Sequence, residues 1–130
     1  MNYVLIVEDE DFLLRALEDN MVAKGYAVDT SLDGEEAMEK IGRKKPDVVL
    51  LDILMPKKDG FYVLEELKKN PKWKSIPVIV LSNLGEDESI KKALEMGADN
   101  YFVKSQHPIE EVVEEVRKLL ENTKGTKGHS

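Results

Sequence analysis

Short apolar runs alternate along this chain with longer stretches in which an apolar residue recurs every third or fourth position. Runs of four or five apolar residues are typical of buried β-strands, and the longer spacing is typical of helices with one buried face. The pattern predicts five strands, at YVLIV (3–7), around YAVDT, at DVVLLD (ending at Asp52), at VIVLS (78–82) and at NYFV (100–103). A helical stretch follows each strand.

Residues with turn or capping preferences mark the ends of the predicted helices. Gly25 and Gly97 stand where the first and fourth helices stop, and glycine is common just past a helix C-terminus. Asp33 is placed to cap the second helix, and the third begins at about Gly60. The last helix carries an apolar stripe made of Ile109, Val112, Val113, Val116, Leu119 and Leu120.

Alternating strands and helices predict a doubly wound α/β fold. Strands that are apolar on both faces need cover on both sides, which parallel sheets receive from the helices of right-handed crossovers. A chain of 130 residues suits one domain of this kind. We place the domain at residues 1–122 and predict that the polar tail at 123–130 is disordered.

Composition argues against several classes of function. The chain has no cysteine and two histidines, so thiol nucleophiles, disulfides and zinc sites are not expected, and any metal would have oxygen ligands. Its net charge of −7 argues against binding to nucleic acid or to an anionic membrane, because both require a basic surface. It has neither an apolar run near the roughly 18 residues of a membrane span nor a basic leader, so a cytoplasmic location is expected.

Chemically active residue types stand at the carboxyl ends of four predicted strands. Glu8 and Asp9 follow the first strand, Asp52 ends the third, Ser82 ends the fourth and Lys104 follows the fifth. In a doubly wound sheet the carboxyl ends of the strands share one edge, and ligands bind there. We therefore expect three carboxylates, a hydroxyl and an ammonium group to gather at one place.

The three carboxylates would repel one another unless a cation lay between them. Carboxylate oxygens with room for water are the ligands that Mg²⁺ prefers. A lysine and a hydroxyl beside such a cation suit a phosphoryl group, whose oxygens all three can bind. In that case Asp52 is a carboxylate nucleophile that forms an acyl phosphate.

Four segments of the chain together resemble a known family. VEDE at 7–10, DILMPKKDG at 52–60, LS at 81–82 and GADNYFVK at 97–104 are similar to the motifs of response-regulator receiver domains of two-component signalling, in particular the stand-alone chemotaxis type. The resemblance covers about residues 2–121. It implies a flavodoxin-like sheet of strand order 2-1-3-4-5. It also implies a signalling protein, not an enzyme acting on other substrates, that is phosphorylated by a histidine kinase or a histidine phosphotransfer protein.

The resemblance also implies which residues would hold the metal. Asp52 would be the phosphoacceptor and, together with Asp9, a direct ligand of Mg²⁺. Glu8 would act on the metal largely through water, and the backbone carbonyl of Leu54 would be another ligand.

The remaining residues of the motifs have implied roles in binding and signalling. Ser82 and Lys104 would bind the phosphoryl oxygens, and Tyr101 would be a switch that moves inward when Ser82 does. Phosphorylation would then change a surface that an unidentified protein partner recognises. Glu10 and Asp11, by contrast, are expected to cap the first helix and to complement its dipole.

The chain departs from the family pattern in three places. Leu54 and Leu84, which should flank the phosphoryl site, are apolar where some relatives have polar side chains. Ser105 follows Lys104, where the family normally has proline, often after a cis bond, and a cis bond before serine costs about 2.5–4 kcal/mol. Asn83 follows Ser82, where a small residue is common, so access for small phosphodonors would be narrower.

Three other functions stay open. Asp9 and Asp11 have the spacing of haloacid-dehalogenase-like phosphatases, which would be phosphorylated on Asp9, although Phe12 stands where those enzymes have threonine or valine. A receiver-like binding module that is never phosphorylated would share the same residues. A flavodoxin-like cofactor module would need hydroxyls and glycines in the first loop, which instead supplies acids.

Overall fold

The computed structural model describes residues 1–55 and 57–129, with side chains up to residue 121. Strands and helices alternate along it, as the apolar pattern predicts. In chain order the elements are β1 (Tyr3–Val7), α1 (Asp11–Ala23), β2 (Ala27–Ser31), α2 (Gly34–Arg43), β3 (Val48–Leu51), α3 (Gly60–Lys69), β4 (Val78–Ser82), α4 (Asp87–Glu95), β5 (Asn100–Val103) and α5 (Ile109–His129).

These five strands run parallel in one sheet of order β2-β1-β3-β4-β5. The chain starts at β1, moves outward to β2, and then crosses back to β3, from which it continues to β5. The order therefore reverses between β1 and β3, whose carboxyl ends lie side by side, with Val7 paired to Leu51. The predicted doubly wound fold and its strand order are confirmed, and in such sheets ligands bind at the edge that follows the two strands on either side of the reversal.

Two apolar layers enclose the sheet. Successive side chains of a strand point to opposite faces, so Leu5 packs with α2, α3 and α4, while Ile6 packs with α1 and α5. Every residue of β1, β3 and β4 is buried, which explains why these strands appear in the sequence as unbroken apolar runs. The edge strand β2 is mostly half-buried, and its sequence is correspondingly mixed.

The helix ends follow the turn and capping signals of the sequence. Asp33 caps α2, because its side chain accepts a hydrogen bond of 2.8 Å from the N–H three residues later. Asp59 caps α3 in the same way at 3.0 Å, and α3 begins at Gly60 as predicted. Gly25 and Gly97 adopt φ values of 93° and 109°, which residues other than glycine rarely adopt.

The last helix continues to His129, so helical backbone extends over most of the segment that the sequence predicts as a disordered tail, 123–130. Polar residues can extend a helix whose first turns are anchored by packing, as the apolar stripe of α5 is here. The side chains of residues 122–130 lie outside the described residues, and the domain boundary at residue 122 stays a prediction. Within the described part of the chain, no helix has both the length and the apolarity that crossing a membrane requires.

Candidate functional site

Asp52 is the first residue after β3, and its side chain is buried at the carboxyl edge of the sheet. Its backbone N–H donates to the carbonyl of Val7 (2.9 Å), which extends the pairing of β3 with β1 by one residue. Its Oδ1 accepts a hydrogen bond from the N–H of Leu54 (3.3 Å). The central strand β3 thus places the carboxylate of Asp52 in the middle of this edge, where only 3% of the residue is exposed.

Glu8 and Asp9 follow β1, the neighbouring strand, and bring two more carboxylates to the same place. The N–H of Glu8 donates to the carbonyl of Ser31 (2.9 Å), which ties the end of β1 to β2. Glu8 is buried and Asp9 is exposed. Ligand oxygens of Glu8, Asp9 and Asp52 all lie within 4.8 Å of one another, so the three acids could hold one metal ion between them. Their hard oxygen donors fit Mg²⁺.

Lys104 follows β5 and reaches these acids from the other side of Asp52. Its backbone N–H donates to the carbonyl of Ser82 at the end of β4 (2.9 Å). Its Nζ lies 2.9 Å from Glu8 Oε1 and 3.2 Å from Asp52 Oδ2. The predicted meeting of the acids with the lysine is therefore present. No described peptide bond is cis, and the bond before Ser105 is trans.

Burial and the ion pairs shift the proton affinities of the cluster. Burial raises the pKa of Glu8 to about 7, and the charge of Asp52 adds to the rise while Lys104 opposes it. Burial also raises the pKa of Asp52, against the effect of Lys104 and of a hydrogen bond with Glu8. For Lys104, burial by itself lowers the pKa, but the carboxylates of Glu10, Glu8 and Asp52 together raise it above its ordinary value. The lysine is therefore charged, and Glu8 binds a proton more readily than an exposed glutamate does.

Ser82 and Tyr101 meet at the loop that follows β4. Ser82 is fully buried, and its Oγ accepts a hydrogen bond from the N–H of Leu84 (3.2 Å). The hydroxyl of Tyr101 donates to the carbonyl of Leu84 (2.7 Å). Burial raises the pKa of Tyr101, and a hydrogen bond with Ser82 works against that rise. Both residues thus contact the same loop, although their roles as phosphoryl ligand and switch stay predictions.

Glu10 has a different environment from the one that the sequence suggests. It occupies the N-cap position of α1, but its side chain makes no capping hydrogen bond. Instead its Oε2 lies 2.8 Å from Lys104 Nζ. The expectation that Glu10 caps the helix is therefore wrong, because an ammonium group offers a carboxylate a stronger partner than a backbone N–H does. Asp11 lies in the first helical turn as expected and pairs with Arg15 (3.4 Å).

The sequence contains one indication that Glu10 could contact Lys104. Glu10 lies two residues after Glu8 on the loop that enters α1, and its N–H donates to Glu8 Oε2 (3.1 Å). An acid this close to the pocket can reach the lysine that the pocket holds. Whether it does depends on the direction of the loop, which the spacing of acids alone does not specify.

Comparison with known proteins identifies relatives of the whole sheet. A family model described as "Response regulator receiver domain" matches residues 4–117. The chain is 42% identical over 120 residues to the probable transcriptional regulator ycf27 of Guillardia theta, a match that covers 92% of this chain and 46% of that protein. The chain thus spans about half the length of the curated relatives it matches.

Several solved structures resemble this chain in both sequence and fold. A putative response regulator from Chloroflexus aurantiacus is 30% identical with a TM-score of 0.85, over 92% of this chain and 98% of that one. The BeF3-activated N-terminal receiver domain of Klebsiella pneumoniae RstA is 32% identical with a TM-score of 0.83, again over 92% of this chain and 98% of that one. Sequence and fold therefore indicate the same relationship.

Proposed function

Because this chain belongs to the family of response regulator receiver domains, we propose that it accepts a phosphoryl group on Asp52 in a reaction that requires Mg²⁺. The observation that carries the proposal is the position of Asp52, buried at the reversal point of the sheet with Lys104 Nζ at 3.2 Å. A carboxylate held beside a lysine and two further acids has the partners that an acyl phosphate requires.

Each residue of the site would have a defined part in the reaction. A carboxylate oxygen of Asp52 attacks the phosphorus of a phosphohistidine, so that a P–O bond forms and a P–N bond breaks. The leaving imidazole of the donor, a histidine kinase or a histidine phosphotransfer protein, takes up a proton. Lys104 and Ser82 donate hydrogen bonds to the transferred oxygens.

The metal would be held by Glu8, Asp9 and Asp52, with Glu8 acting largely through water and the backbone carbonyl of Leu54 as a further ligand. When bound, Mg²⁺ offsets the negative charge that three acids and a phosphoryl group bring together. The convergence of the three acids within 4.8 Å supports this assignment.

The signal would leave the site through Ser82 and Tyr101. A phosphoryl oxygen that binds the hydroxyl of Ser82 would disturb the loop that both residues contact through Leu84. Tyr101 would then change its position and, with it, the surface that a downstream protein recognises. In this proposal the domain is a phosphoacceptor, and the group that it modifies is its own Asp52.

The phosphatase alternative fits the geometry less well. It requires Asp9 and Asp11 to converge on one phosphoryl group, but Asp11 is directed along α1 to Arg15 and is largely exposed. The unphosphorylated binding module differs from our proposal in a single property, whether Asp52 is modified, and an experiment can decide between them.

The test is the intact mass of the protein after incubation with Mg²⁺ and acetyl phosphate, and separately with Mg²⁺, ATP and a histidine kinase. We expect the wild type to gain one phosphoryl group, Asp52→Asn to gain none, and omission of Mg²⁺ to prevent the gain. A phosphoryl group that maps to Asp9 would support the phosphatase instead. An unmodified wild type under both conditions would support the binding module.

A further inference from the structure

The ammonium group of Lys104 is shared among three carboxylates. Its Nζ lies 2.8 Å from Glu10 Oε2, 2.9 Å from Glu8 Oε1 and 3.2 Å from Asp52 Oδ2. A protonated lysine has three N–H donors, so each of these contacts can take one of them. The closest of the three partners is Glu10, which does not belong to the predicted site.

Glu10 differs from the other two acids in its surroundings. Its side chain is 54% exposed, whereas those of Glu8 and Asp52 are buried. It is outside the group of acids that could hold a metal ion, which consists of Glu8, Asp9 and Asp52. Its carboxylate can therefore stay with Lys104 when the other acids bind a cation.

We propose that Glu10 is a positioning residue that holds Lys104 back from the phosphoryl group and so slows the phosphorylation of Asp52. This inference rests on the function proposed above. When phosphorus approaches Asp52, its oxygens need N–H donors of Lys104, and the ammonium group must loosen its contact with Glu10 to supply them. Glu10 itself gives no atom, electron pair or proton to the reaction.

The contact with Glu10 also has the backbone support that a positioning role requires. The N–H of Glu10 donates to Glu8 Oε2 (3.1 Å), which fixes the start of α1 against the pocket. Only 10% of the Lys104 side chain is exposed, so the ammonium group has little freedom to find other partners. The carboxylate of Glu10 is thus held at the mouth of the pocket, on the side of α1.

The test compares rates of phosphoryl gain from acetyl phosphate with Mg²⁺, followed by intact mass. Glu10→Gln removes the charge and keeps the shape, and we expect it to react about 2- to 5-fold faster than the wild type, in line with the modest strength of an exposed ion pair. Asp11→Asn is the matched control. It removes the same charge one residue later, where the side chain is 76% exposed and pairs with Arg15, and should leave the rate unchanged.

A second comparison tests whether Glu10 acts through Lys104. The single variant Lys104→Met is compared with the double variant that carries both Glu10→Gln and Lys104→Met. We expect these two proteins to be phosphorylated at the same rate. Equal phosphorylation rates for wild type and Glu10→Gln would refute the inference. So would a rate increase of the same size in Asp11→Asn, or a rate increase from Glu10→Gln that persists when Lys104 is replaced by methionine. If none of the proteins is phosphorylated, the proposed function fails and the inference fails with it. Phosphorylation at equal rates refutes the inference alone.

Discussion

Glu8 and Asp52 lie at the ends of β1 and β3, where both side chains are buried and both contact Lys104. Burial favours the neutral form of an acid, and the lysine favours the charged form. For Glu8 burial has the larger effect, so its pKa rises to about 7. The site without metal is therefore expected to release a proton from Glu8 as the pH rises through neutrality.

This pKa predicts how the stability of the metal-free protein depends on pH. The pKa of Glu8 is about 7 in the folded protein against an ordinary value of 4.5, so between these values the folded state retains a proton that the unfolded state has lost. Stability linked to Glu8 is complete below pH 4.5 and is lost as the pH rises to about 7. We expect a loss of about 1–3 kcal/mol over this window.

Urea unfolding in EDTA at a series of pH values measures this effect. Glu8→Gln should remove the loss, and the difference between the two proteins cancels the contributions of other titrating groups. Asp11→Asn, which neutralises an exposed acid in the first turn of α1, should retain the profile of the wild type. Parallel profiles for wild type and Glu8→Gln would show that Glu8 is ionised throughout this range.

At the scale of elements, the loop between β3 and α3 is braced against the start of α2. The N–H of Gly34 donates to the carbonyl of Lys58 (2.9 Å), and a Cβ on Gly34 would lie 2.2 Å from that oxygen. Lys57, in the same loop, has φ 62° and lies 3.7 Å from the carboxylate of Asp33. Contact between α2 and the loop therefore supports the segment that follows Asp52.

Two substitutions on α2 test this contact. Gly34→Ala should destabilise the protein by about 1–3 kcal/mol, because the new methyl group meets backbone that cannot move without shifting the loop. Gly42 lies on the same helix, and a Cβ added there would meet no neighbouring atom within 4 Å. Gly42→Ala should therefore stabilise the protein by about 0.5–1 kcal/mol. Denaturant midpoints at constant m-value would measure both effects. A Gly34→Ala protein as stable as the wild type would mean that the loop is not braced by α2.

At the scale of the whole molecule, the parallel sheet separates two edges. The acids and Lys104 lie at the carboxyl ends of the strands, whereas Trp73 lies in the turn that leads into β4, at their amino ends. Trp73 packs on the apolar layer beside α2, α3 and α4. The single tryptophan of the chain thus reports on the core and not on the candidate site.

Tryptophan fluorescence should accordingly respond to unfolding but barely to Mg²⁺. We expect titration with Mg²⁺ to leave the emission of Trp73 nearly constant, while urea changes it with the same midpoint as circular dichroism. Asp9→Ala, which removes one of the three acids of the candidate metal site, serves as the control. Strong quenching by Mg²⁺ in the wild type that Asp9→Ala abolishes would place the tryptophan near the metal and contradict this arrangement.

Much of the fold can be predicted from the sequence, because the side chains that a strand or helix buries must be apolar. β1, β3 and β4 lie between two layers of helices, so their residues are apolar without interruption and their positions can be predicted closely. The predicted cap at Asp33 and the predicted start of α3 at Gly60 rest on local hydrogen bonding and backbone preferences, which are also properties of short segments. The gathering of acids and lysine follows in turn from parallel strands, whose carboxyl ends share one edge.

Contacts between loops required the tertiary structure. The ion pair of Glu10 with Lys104 joins residues 94 positions apart, and the contact of Gly34 with Lys58 joins the start of α2 to the loop before α3. Neither leaves a period in the sequence, because each depends on the direction in which a loop leaves its strand and on the space that neighbouring loops leave free. The sequence by itself therefore determined which elements form and which edge carries the chemistry. Only the packing of the loops decided which carboxylates share the lysine, since the strength of a charge pair depends on distance and burial.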